Sequence, residues 1–195
     1  MCVSRCLRCV GVALVPLAII CMLCNILLLF PDLKINFLLE KHVTKEATWA
    51  TGLWASGIMV CTSASVLMHL KPRPHRCFCL QMLCQVLYSG LAFLAAALCC
   101  CVSATGLVQG PMCLYNTSSG LTWGVPLKFS GYLYNQTLWS GVCLEPRSVV
   151  QWNVVLFSVM GATSALEAVL CAVNILNSLL GLVLGQGFCN NKSKT

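Results

Sequence analysis

The apolar positions of this chain fall into four long runs, at 10–30, 49–70, 83–106 and 154–184, with the charged residues gathered mostly between and beyond them. A helix needs about 20 apolar residues to cross the hydrocarbon core of a bilayer, so each run predicts one membrane span. Polar residues inside the fourth run are not scattered. Thr163, Glu167, Cys171, Asn174 and Ser178 recur at steps of four, four, three and four, which puts them on a single helix face. The second run is rich in small and hydroxyl residues (Ser56, Gly57, Thr62, Ser63, Ala64, Ser65), and the third adds Gly90, Ala92, Ala95, Ala96 and Ala97. In lipid such residues let helices approach closely and hydrogen-bond across their interface. The pattern predicts an all-α membrane protein, a four-transmembrane-helix bundle.

The remaining segments follow from those runs. They are an N-tail at 1–9, a first loop at 31–48, a short connection at 71–82, a long loop at 107–153 and a C-tail at 185–195. Only the long loop is built to fold in water. It carries Tyr115, Trp123, Tyr132, Tyr134, Trp139 and Trp152 among Gly, Pro and Ser, and two Asn-x-Ser/Thr sequons at Asn116 and Asn135. Cys113 and Cys143 are the two cysteines placed clearly on its side of the membrane, so a disulfide between them is expected to close a small extracellular domain between helices 3 and 4. The first loop has no cysteine and balances Asp32, Glu40 and Glu46 against Lys34, Lys41 and Lys45, which reads as a solvated connector.

Composition agrees with the pattern: 58% of residues are apolar and 9% charged, against about 25% charged in soluble domains. The net charge of +7 is mostly a topology signal. Arg5, Arg8, Lys71, Arg73, Arg76, Lys192 and Lys194 lie close to span ends on the side of the termini, whereas Lys34, Lys41, Lys45, Lys128 and Arg147 are spread over the two longer loops. By the positive-inside rule this density predicts cytoplasmic termini in a multi-pass membrane protein. It gives no basic patch on a soluble face, so nucleic acid is not an expected partner. The first run is too long for a cleaved secretory signal and lacks a small-x-small site, so it is expected to remain as the first span.

Candidate chemistry is sparse. Cys2, Cys6 and Cys9 flank Arg5 and Arg8 at the inner surface, and Cys77 and Cys79 lie in the short basic connection; S-palmitoylation and plain reduced thiols are both open readings. Asn135, mid-loop, is favoured over Asn116 for a glycan, and the sequon at Asn191 lies on the inner side. Glu167 is the one acid within a span. At about 13 residues, or roughly 20 Å, below the outer start of its run it should face the interior, protonated or hydrogen-bonded. Asn25, in the first span, is only about 8 Å from its outer end and too shallow to reach it. Counting down the second run from Trp49 gives the same depth at Thr62 and Ser63, the expected partners. No catalytic constellation, phosphate-binding loop or metal-ligand spacing is in view, so neither an enzyme nor a cofactor is expected.

The opening Met1-Cys2 with Cys6 and Cys9, the stretches Asn25-Ile-Leu-Leu-Leu-Phe-Pro31, Gly110-Pro111-Met112-Cys113-Leu114 and Asn135-Gln136-Thr137-Leu138-Trp139, and Glu145-Pro146 followed by Trp152-Asn153-Val154-Val155-Leu156-Phe157-Ser158 resemble the L-six tetraspan antigen family. The match covers nearly the whole chain. The resemblance implies a four-span surface protein that associates laterally with tetraspanins and integrins and influences adhesion, motility and growth. The chain departs from true tetraspanins in lacking their Cys-Cys-Gly signature, and from the pattern of the family it resembles in having only Cys77 and Cys79 in the inner loop and no sequon after Asn153. A lateral adaptor is the leading reading and a small transporter or channel accessory subunit the alternative, with self-association into a homo-oligomer left open.

Overall fold

The computed structural model describes residues 2–34, 36–40, 42–69, 78–118, 120–128 and 130–191. Its frame is four long apolar helical stretches, Cys9–Leu29, Thr51–His69, Gln81–Gln109 and Val149–Val183, each long enough to cross a bilayer. The first lies in α1 (Cys2–Leu29). After it come two short helices of the first loop, α2 (Asn36–Leu39) and α3 (Lys45–Thr48). The second span is built from α4 (Thr51–Leu53), a wider π-helical segment over Trp54–Met59, and α5 (Val60–His69). The third is α6 (Phe78–Gln109). Between it and the fourth lie an antiparallel hairpin of β1 (Cys113–Thr117) and β2 (Gly120–Gly124), the short α7 (Leu138–Gly141), and then α8 (Val149–Asn191).

The helices pack as a ring in which α6 runs along α8 and α8 closes back on α1, while the second span sits between α1 and α6. Glycine sets the closest approaches. A side chain at Gly52 would meet Met160 Sδ at 2.6 Å and the Cys21 carbonyl at 2.8 Å, and one at Gly106 would meet the Phe157 ring at 2.7 Å. Both glycines let a neighbouring span come closer than any larger residue would. Two apolar clusters result, one around Leu14, Ala18, Val60, Ala64, Ala92 and Ala96, the other around Cys21, Cys99, Phe157 and Met160.

The fold therefore has the expected class: four membrane helices with a small disulfide-closed unit between the third and fourth. The first loop does not match the expectation of a solvated connector. Phe37, Val43, Glu46 and Ala47 are buried, and Val43 and Ala47 belong to the cluster of Cys21, Cys24, Cys99, Phe157 and Met160. The reason is local: Ala50 adopts a left-handed backbone (φ 53°), which turns α3 back onto the bundle before α4 begins. The charge balance of the loop gave no hint of this, because the residues that dock are its few apolar ones.

Candidate functional site

The polar stripe of the fourth span faces the bundle interior. Thr163 is 9% exposed, Cys171 1%, and Glu167, Asn174 and Ser178 are fully buried. Along its length the stripe meets all three of the other spans. Thr163 Oγ1 lies 3.0 Å from Cys21 Sγ of α1. Glu167 Oε2 accepts a hydrogen bond from the Ser56 hydroxyl of the second span. Asn174 Nδ2 donates to Ser89 Oγ (2.6 Å) and the Ser178 hydroxyl to Gln85 Oε1 (3.3 Å), both on α6. In a medium without water a buried polar side chain is held by such partners or not at all, so the stripe fixes both the rotation and the depth of α8.

Ser56, not Thr62 or Ser63, is therefore the partner of Glu167. Thr62 is exposed and Ser63 buried, and both hydroxyls are turned back onto the Met59 carbonyl of their own helix. Residue counting misplaced them because it assumed that the apolar run at 49–70 enters the bundle at its first residue. In the folded chain, Gly52 already lies against Cys21, Asn25 and Met160, so the second span is set deeper than counted. Asn25 is fully buried, with Nδ2 3.9 Å from Met160 Sδ, and no bond joins it to Glu167.

At the other end of the bundle, α8 extends beyond the lipid. The stretch Val149–Val183 is about 50 Å long at about 1.5 Å per residue, against about 30 Å of hydrocarbon. Its first turn supplies Val149 and Val150 to the core of the loop domain, with Cys113, Leu127, Tyr132 and Cys143. The Cys113–Cys143 disulfide joins the hairpin to the segment before α8, and Leu114 bridges Glu145 beside it. Tyr132 is the keystone. Its hydroxyl donates to the Leu107 carbonyl at the end of α6 (2.5 Å), while its own carbonyl accepts from the Trp139 indole (2.8 Å). Burial pushes the Tyr132 phenol up to about 12. A second indole, Trp152, donates to the Leu27 carbonyl of α1 (2.9 Å). From the first loop, His42 stacks on Trp123 (centroids 3.8 Å apart, 6° between planes) and Phe37 meets the same ring edge-on. None of these long-range contacts leaves a spacing signal in the sequence.

Among the described residues no group of three or more His, Cys, Asp or Glu side chains could hold a metal ion. The family description "L6 membrane protein" matches residues 1–188. This chain belongs to the L6 membrane protein family. Its relatives include Transmembrane 4 L6 family member 19 of Mus musculus, 35% identical over 93% of this chain and 92% of that one. Transmembrane 4 L6 family member 4 of Rattus norvegicus is 36% identical over 97% of this chain and 95% of its own. Transmembrane 4 L6 family member 5 of Homo sapiens is 34% identical over 100% and 99%. No solved structure matches the chain.

Among the modification sites expected of this L6 family chain, Asn135 is exposed on the loop domain. Its Oδ1 accepts from both the Thr137 hydroxyl (2.6 Å) and the Thr137 backbone N–H (3.2 Å). Asn116 is exposed too, on β1, paired in register with Leu121. Cys9 is exposed. Cys77 lies outside the described residues, as do the side chains of Cys2, Cys6 and Cys79.

Proposed function

We propose that this L6 family protein is a plasma-membrane adaptor that associates laterally with other membrane proteins and modulates adhesion, motility or growth signalling. Tetraspanins and integrins are the partner classes in this reading, and the chain performs no catalysis of its own. The supporting observation is how the spans use their polar groups. Ser56, Ser89, Gln85, Thr163, Glu167, Asn174 and Ser178 are spent on contacts within the bundle, so the stripe acts as a packing lock. The faces turned to lipid are apolar, as at Leu87, Leu91, Leu94 and Leu98 of α6. A transporter is expected to keep ionisable groups available along a path, and here the one acid of the spans is tied to Ser56.

In this reading the termini are cytoplasmic, as the distribution of Lys and Arg favours, and the loop domain is extracellular. Asn135 carries a glycan, with Asn116 the lesser site. Cys2, Cys6, Cys9, Cys77 and Cys79 are the acylation candidates at the inner surface. Affinity purification of the tagged chain from cells in a mild detergent, followed by mass spectrometry, tests the adaptor role. The expected result is recovery of tetraspanins or integrins above an unrelated four-span control. Flux through proteoliposomes holding the purified chain alone would instead support the transporter alternative.

A further inference from the structure

The start of the fourth span carries a polar group that the packing lock does not use. Asn153 is 3% exposed, and both its amide nitrogen and its amide oxygen are without a hydrogen-bond partner. It lines a cavity of about 20 Å³ where three junctions meet: the end of α1 at Leu28, the first loop at His42 and Thr44, and the exit from α6 at Met112. We propose that this cavity is a binding site for one ordered water that joins Asn153 to the first loop.

Size and chemistry both select this ligand. One water needs roughly 10–15 Å³ of such space, so the site has room for one. A bound water makes two to four hydrogen bonds. Asn153 offers a donor and an acceptor side by side, and Thr44 and His42, whose Nδ1 is already bonded to Glu40, line the same cavity. Leu28, Met112 and Trp152 are also part of the lining. The water would stitch α8 to the same first loop that Trp123 grips from the hairpin side.

Two measurements on the full-length protein test this. The first is a density map of the unmodified protein in micelles, at a resolution that shows solvent. A peak is expected within about 3.2 Å of both Asn153 amide atoms. The second is thermal unfolding of Asn153→Leu. Loss of a water-bridged amide should lower Tm by roughly 2–4 °C, whereas a bare, unpartnered amide replaced by an apolar side chain of similar size should leave Tm unchanged or raise it. A map without the peak, or a Tm that holds or rises, overturns the proposal. The map decides the matter if Asn153→Leu fails to fold.

Discussion

In the bundle, Glu167, Asn174 and Ser178 each meet a side chain of another helix, while the loop domain gathers Leu127, Tyr132, Val149 and Val150 around a disulfide. The two regions rest on different forces. Between spans there is no water to expel, so glycine-mediated approach and a few hydrogen bonds of roughly 0.6 kcal/mol each supply the specificity. The loop domain has water around it and can use apolar burial, but it is small and needs a covalent closure. A perturbation aimed at one kind of force should therefore spare the other region.

The largest effect is expected from Cys113→Ser. Closing a loop with a sequence separation of 30 contributes roughly 3–4 kcal/mol through loop-closure entropy. Hydrogen exchange across 113–150 should rise sharply while the four spans keep their protection. Equal loss in both regions would show that the bundle depends on the loop domain.

Alkaline pH separates them next. The Tyr132 phenol is raised by burial to about 12 from its ordinary value near 10. The unfolded chain therefore loses this proton first, and the contribution is intact below about pH 10 and lost as pH rises towards 12. The gap corresponds to roughly 2–3 kcal/mol. Tyr132→Phe should flatten the loop domain's alkaline melting curve relative to the parent, and superimposable curves would count against the burial.

Gly52→Ala strikes the bundle alone. Its Cβ would press on the Cys21 carbonyl and Met160, and overpacking of this kind costs about 1–3 kcal/mol. Unfolding of the spans in detergent should shift while exchange in the loop domain stays the same. Smallest is Glu167→Leu, which leaves Ser56 without its partner and should cost about 1 kcal/mol. Disulfide cross-linking between cysteines placed on the second and fourth spans should fall in Glu167→Leu and persist in Glu167→Gln. Equal cross-linking in Glu167→Leu and the parent would remove the lock from the account.

The same division governs what could be read from the sequence. Helix periodicity exposed the stripe from Thr163 to Ser178, since a face repeating every three or four residues is written in the chain itself. The pairing of Cys113 with Cys143 was legible because compartment left few alternatives. Ser56 was not, because its depth depends on Ala47 and Val43 docking above it, a tertiary event hidden in a loop of balanced charge. Tyr132 and Trp152 escaped for a related reason. Their partners are backbone carbonyls 25 and 125 residues away, and any residue supplies a carbonyl.

The bond from Trp152 to Leu27 also has a bearing on assembly. The carbonyl that ends the first span is among the earliest parts of the chain to be made, and the indole that satisfies it among the last. Until the fourth span arrives, the first lacks its neighbours Met160 and Thr163 as well. A chain that stops after the third span thus lacks the wall that α8 supplies beside Cys21 and Asn25. Closure of the ring of helices around the first span therefore waits on the last of them to be made.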